Sequence, residues 1–139
     1  MTLQENIEFD EYYRCYCLGK KYIHIMPYEP RNPHHLRYAA EFTPSKKLQK
    51  EMEDGCLTIC ETLGYDFNTI EFAVKDGIPY AIDFTNPAPD AERGSVGEEN
   101  FTWILEHSAK LLMESAKEIA KKKKASPKKG QTWREMILG

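Results

Sequence analysis

FNTIEFAVKDGIPYAIDFTNPAPD, residues 67–90, is the stretch whose reading decides the fold. Two runs, 69–74 and 80–85, flank Asp76-Gly77, a dipeptide suited to the positive φ angles of a tight hairpin turn. Ile70, Phe72 and Val74 alternate with Thr69, Glu71 and Ala73 on the first run. On the return run Tyr80, Ile82 and Phe84 alternate with Ala81, Asp83 and Thr85. A strand shows alternate side chains to opposite faces, so one face of this hairpin reads as bulky and apolar and the other as small or acidic.

Register decides what the second face means. An odd loop, with Lys75 opposite Pro79, sets Glu71 across from Asp83 and Ala73 across from Ala81. Directly opposed side chains have Cβ atoms about 4.5–5.5 Å apart, and like charges at that spacing destabilise a sheet. A hard divalent cation relieves them, since Mg²⁺ prefers carboxylate oxygens and keeps water and phosphate as its other ligands. The two alanines then leave room for a ligand. A two-residue loop instead sets Glu71 opposite Ile82, with the acids as near neighbours. The plain alternative is the solvated face of an antiparallel sheet.

Helices flank the hairpin. Upstream, Thr43 fits an N-cap with Pro44 at the first helical position. Leu48, Met52, Cys56, Ile59 and Leu63 follow in steps of three or four, and Gly64 supplies a left-handed stop. Downstream, Ser95 and Glu98 fit a capping box, with Phe101, Leu105, Leu112 and Ile119 as the expected core face of a helix running to the lysine cluster. Nearer the N-terminus, residues 2–9, 12–18 and YIHIMP read as strands of a meander, turned at Gly19-Lys20-Lys21. Residues 27–44 hold Pro27, Pro30, Pro33 and Pro44, which favour an irregular excursion. His34-His35 in it reads as surface loop. The expected fold class is α+β: an antiparallel sheet of five or six strands with two main helices on one face.

Composition narrows the function. Nineteen basic against twenty-two acidic side chains in 139 residues give −3 at pH 7, which argues against nucleic acid as a partner. No apolar run reaches the about 20 residues of a membrane helix, and the acidic start MTLQENIEFDE lacks a secretory h-region. Cys15 and Cys17 share a strand face, and Cys56 and Cys60 share a helix face. Neither spacing is a zinc knuckle, so four buried thiols and a cytoplasmic, reducing compartment are expected. KKKKASPKK, residues 121–129, reads as a solvated end, giving a domain over 1–123 and a basic tail over 124–139.

The segment GYDFNTIEFAVKDGIPYAIDFTNP resembles the metal-binding hairpin of ATP-grasp enzymes, the superfamily of D-alanine–D-alanine ligase and the ribosomal-protein glutamate ligases. The family places an acid on one strand and an acid-x-Asn motif about a dozen residues later. By the resemblance Glu71 and Asp83 bridge Mg²⁺ to the phosphates of ATP, and Asn86 is the third ligand. Asn86 lies three residues after Asp83 instead of two, with Thr85 in the expected place, and a bulge there would accommodate it. LQENIEFDEYYRCYCLGKKY looks like the family's hinge strand. By that match Glu5 and Ile7 flank adenine, Glu11 holds the ribose, Ile82 packs beneath the ring, and Arg14 is the catalytic contact to the phosphates. For Ile7 and Ile82 an ordinary core position is the competing reading.

The resemblance covers about residues 2–115 and implies a reaction class. A carboxylate attacks the γ-phosphate of ATP, releasing ADP, and an amine then displaces phosphate from the acylphosphate. Positioning and charge neutralisation carry such a rate. Arg31 and Arg37 are candidates for gripping the carboxylate substrate, or are plain solvated arginines. The N-terminal lobe with the glycine-rich loop is expected before residue 1, so this chain reads as the C-terminal lobe of a longer ligase, inactive by itself. A second copy of the chain is one candidate cover for its open face. The alternative is a non-catalytic interaction or regulatory module using the basic tail. A metal-dependent nuclease fits poorly, because Thr85 stands where such sites place a lysine.

Overall fold

Gly19 and Lys20 both take positive φ, 59° and 54°, and fold β1 (Glu11–Leu18) back on β2 (Tyr22–Pro27). Asp76 and Gly77, at 52° and 73°, do the same for β3 (Phe67–Lys75) and β4 (Ile78–Asn86). These signs are those of the hairpin turns whose twist matches the flanking strands. The computed structural model describes residues 7–39 and 41–124, with side chains as far as Lys121. The strands form one antiparallel sheet in the order β2-β1-β3-β4.

Four strands are therefore described where five or six were expected. Of the run 2–9, residues 7–9 lie outside any strand and residues 2–6 outside the described residues. Both long sides of β1 and β3 are already paired. Asp10 adds one backbone bond to the Val74 carbonyl, and Phe9 turns its ring onto Tyr12 and Tyr80.

Helix α1 (Lys46–Leu63) starts two residues later than expected. The Ser45 hydroxyl accepts from the Leu48 amide at 3.2 Å, the N-cap geometry that Thr43 was expected to provide. Gly64, at φ 76°, closes the helix as read from the sequence. Leu48, Met52, Cys56 and Cys60 are buried, and Ile59 packs beside them. Leu63 is exposed, because Cys60 holds the last core position of the stripe. Their partners are Tyr13, Cys15 and Cys17 of β1 and Ile70, Phe72 and Val74 of β3. Gly55 admits the Phe72 ring, whose Cζ lies 3.2 Å from where a Cβ would stand.

The helices do not share one face, contrary to expectation. Tyr16, between Cys15 and Cys17, points away from α1 and packs with Met26, Val96 and Ile104. Val96 ends the short α2 (Arg93–Val96), and Ile104 lies in α3 (Glu98–Lys124). Phe101 and Trp103 pack against the same cluster, and Trp103 stacks on His24 at 4.6 Å. Alternation along a central strand thus supplies apolar surface to both sides, one taking α1 and the other α2 with residues 101–104 of α3.

Two compact units form, residues 1–104 and residues 105–139, where the sequence reading sets its boundary at 123. In the second, the described part is the helical run to Lys124. Leu105, Leu112 and Ile119, expected on a core face, are exposed there. Ile104 takes the core position instead, and one residue along a helix turns the side chain by about 100°. Gly97, at φ 84°, separates α2 from α3, and Ser95 faces Asp90 instead of capping the long helix. Among the described residues no helix is long and apolar enough to cross a membrane.

Candidate functional site

The sheet face turned away from α1 carries the residues singled out for chemistry. Tyr13, Cys15 and Cys17 face α1, so Tyr12, Arg14 and Tyr16 face the other way. Across β1 and β3 these pair with Ala73, Glu71 and Thr69 respectively. Arg14 thus stands directly opposite Glu71 in the middle of the sheet.

On β4 the register changes twice. Lys75 pairs with Ile78, Val74 with Pro79, Ala73 with Tyr80 and Phe72 with Ala81. After a shift, Glu71 pairs with Asp83, and after a second, Thr69 pairs with Asn86. The turn is therefore the two-residue one, which by itself sets Glu71 opposite Ile82. A bulge at Ile82 adds one residue to β4 and restores the Glu71–Asp83 pair. The second bulge brings Asn86 level with Thr69, the adjustment that its three-residue spacing from Asp83 requires. The expected Ala73–Ala81 pair does not form. Tyr80 stands opposite Ala73, and Ala81 packs in the α1 core beside Phe72. Phe9, Tyr12 and Tyr80 form an aromatic cluster at the Ala73 end, so the alanines leave no opening there.

Asn68 holds the second bulge in place. Its Nδ2 donates to the Phe84 carbonyl and its Oδ1 accepts from the Asn86 amide, both at 2.9 Å. The same Nδ2 approaches Cys60 Sγ at 3.8 Å. Bulged strands lose ladder bonds, and a buried amide side chain replaces two of them here. Sequence reading missed Asn68 because a polar residue on a core-facing strand position carries no signal of what it bonds.

Arg14 is the most enclosed charge on this face, its side chain 10% exposed and that of Glu71 17%. The guanidinium donates to the Tyr38 hydroxyl at 2.7 Å and lies 5.4 Å from the Tyr28 ring centre. Its Nε is 3.5 Å from Glu71 Oε1, and this nitrogen has no hydrogen-bond partner. Burial works against the Arg14 charge, but Tyr38 and Glu71 outweigh it and raise its pKa. Burial pushes the Glu71 carboxyl above its usual range; Arg14 opposes this and Asp83 adds to it. Thr69 Oγ1, buried on the same face, also has no hydrogen-bond partner. Asp83 is exposed on the edge strand.

Beside this group lies a third carboxylate. Asp90 accepts from the Ser95 hydroxyl and the Glu92 amide, and its backbone carbonyl accepts from Tyr16. Burial favours its protonated form, but the Ser95 and Glu92 donors prevail and lower its pKa. His34 Nε2 stands 3.8 Å away.

Of the remaining expected site residues, Arg37 lies near this group, sharing Tyr28 with Arg14 and opposing the rise of the Glu71 carboxyl. Glu11 shares the face of Tyr13, accepts from its hydroxyl at 2.7 Å, and so lies across the sheet. Ile7 and Ile82 are both half exposed, so neither takes the core position that competed for it. Arg31 forks onto Glu29 at 2.7 and 2.6 Å, and Arg37 donates to the Tyr28 hydroxyl and the Asn32 carbonyl. Glu5 and residues 125–139 of the basic tail lie outside the described residues.

Among the described residues no group of three or more His, Cys, Asp and Glu could hold a metal ion. A cation on this face would take two carboxylates, with amide or hydroxyl oxygen beside them. Those are hard oxygen donors of the kind Mg²⁺ selects. No protein-family model, curated protein or solved structure matches the chain.

Proposed function

We propose that the face bearing Arg14, Glu71, Asp83 and Asn86 is the magnesium-nucleotide site of an ATP-grasp-type lobe, serving an ATP-dependent carboxylate ligase that works through an acylphosphate. One observation carries the reading. Two bulges in the edge strand β4 set Asp83 opposite Glu71 and Asn86 opposite Thr69, beside a buried arginine. Bulges cost ladder bonds and recur next to sites where they re-aim side chains. The orphaned polar atoms, Arg14 Nε and Thr69 Oγ1, support it, since buried polar groups normally have partners.

In this reading Glu71, Asp83 and Asn86 hold Mg²⁺, whose chemistry is to draw charge from phosphate oxygens. Arg14, fixed by Tyr38 and backed by Tyr28, presents a permanent cation to the same phosphates. Asn68 sets the register on which the ligand set depends. The carboxylate substrate lies within reach of this face. The test is calorimetric titration of the chain with ADP, with and without Mg²⁺, beside Asp83→Asn. Binding that requires Mg²⁺ and disappears with the substitution is expected. Nucleotide binding indifferent to both Mg²⁺ and Asp83, or no binding to the chain at all, overturns the reading.

A further inference from the structure

The exposed apolar residues of α3 fall in a repeat. Leu105, Leu112 and Ile119 recur every seven residues and are 57%, 69% and 41% exposed. Ala109 and Ala116, also exposed, stand four residues after each leucine. At about 100° per residue the five lie within one 80° stripe, with Met113 (59% exposed) on its flank. Large residues every seven, with small ones between them, are the pattern of a helix that packs against another helix along a seam.

The charges along α3 indicate which helix. Its first nine residues, 98–106, carry Glu98, Glu99 and Glu106 and no base. Its last eight, 117–124, carry five lysines and the single acid Glu118. A parallel copy would set lysines beside lysines, whereas an antiparallel copy sets each acidic end beside a basic one. The large residues of the stripe are symmetric about its centre. Antiparallel pairing about Leu112 places Leu105 on Ile119 and Leu112 on its own counterpart, with Ala109 and Ala116 one residue out of level between them, so the same surface serves both partners. That is the requirement of a two-fold interface.

We propose that residues 105–119 of α3 form an antiparallel self-docking surface, whose occupant is the same helix of a second copy of this chain. The alanine layers let the backbones approach closely, and the leucine and isoleucine layers carry the apolar contact. With only five layers the surface is smaller than the about 800 Å² per partner of a standard interface, so a weak, concentration-dependent dimer is expected.

Sedimentation of the full 139-residue chain from micromolar to submillimolar concentration is the direct test. A monomer–dimer equilibrium is expected, weakened about tenfold or more by Leu112→Glu. Leu112 is exposed, so the far-ultraviolet circular dichroism of that variant should match the parent. Orientation is read by oxidative cross-linking. Leu112→Cys should join two chains rapidly, since the two-fold axis passes through it. Leu105→Cys should not, because antiparallel pairing holds the two sulfurs fourteen residues, about 21 Å, apart. The native cysteines are all buried and supply the background control. A chain monomeric throughout, a dimer indifferent to Leu112→Glu, or rapid Leu105→Cys cross-linking overturns the proposal. So does recruitment of α3 to anionic vesicles in place of dimerisation.

Discussion

The two faces of one sheet solve opposite problems. Toward α1, β1 and β3 present Tyr13, Cys15, Cys17, Ile70, Phe72 and Val74, and a single helix closes over them. The thiols are buried and free, with Cys17 and Cys60 raised in pKa by burial and Cys56 by its contact with Cys15, so they act as small apolar groups. On the other face the same two strands present Arg14, Thr69 and Glu71, with orphaned polar atoms and a carboxyl held above its usual range. One face is satisfied internally; the other is assembled from groups that burial alone does not satisfy. The proposed site rests on that difference, because unpaired polar groups are tolerated where they serve a ligand.

The sharpest break in that comparison comes from the satisfied face. Met52 is fully buried between α1 and the sheet. Met52→Ala should lower unfolding stability by about 2–5 kcal/mol, through lost transfer energy and the cavity left behind. Chemical denaturation measures it. At temperatures where the variant is folded, Mg-ADP binding should stay close to that of the parent. A loss of less than 1 kcal/mol would mean that α1 is not a seal on the core.

Asn68 joins the two faces, and its removal comes second in size. Asn68→Ala leaves the Phe84 carbonyl and the Asn86 amide without their side-chain partners. A cost of about 1–3 kcal/mol is expected for such orphaned groups. Unlike Met52→Ala, it should also weaken Mg-ADP binding, because the second bulge sets the position of Asn86. Amide exchange at Asn86 is the local readout, expected to accelerate. Unchanged exchange would detach the bulge from Asn68.

These two residues also mark what the sequence disclosed and what it withheld. Met52 was legible because its partners repeat at helical spacing and a helix can hide only one stripe. Asp76-Gly77 and Gly64 were legible because positive φ selects residue type. The Glu71–Asp83 pair was expected only for an odd loop, and Glu71–Ile82 for a two-residue one, whereas the pair forms on a two-residue turn plus a bulge. A bulge leaves no mark in local composition; it is set by long-range bonds such as those of Asn68. The split of the helices to opposite faces was hidden for a related reason. With both helices expected on one face, nothing in the sequence around Tyr16 and Met26 marks the second core that they join. Leu105, Leu112 and Ile119 show the same limit: periodicity declares an apolar stripe without saying which partner covers it.

The smallest expected effect sets two carboxyls of the polar face against each other. Glu71 has its pKa raised from 4.5, chiefly by burial, and Asp90 has its pKa lowered from 3.8 by the Ser95 and Glu92 donors overcoming burial. Linkage gives them opposite signs. A raised carboxyl favours the fold below its unfolded pKa, and that contribution is lost as pH rises from 4.5 through the folded value. A lowered one contributes above its unfolded pKa, and that is lost as pH falls from 3.8 through the folded value. Glu71→Gln should therefore flatten the fall in stability on the neutral side of 4.5, and Asp90→Asn the fall on the acid side of 3.8. Carboxyl carbon shifts followed by NMR give each titration separately. If Glu71 titrates at or below the usual glutamate range, the Arg14 charge outweighs burial and the pair is a closed ion pair. If it titrates above that range, the carboxyl is held partly desolvated, and a cation that binds it displaces a proton. Mg²⁺ affinity should then rise with pH across the same window in the parent chain and lose that dependence in Glu71→Gln.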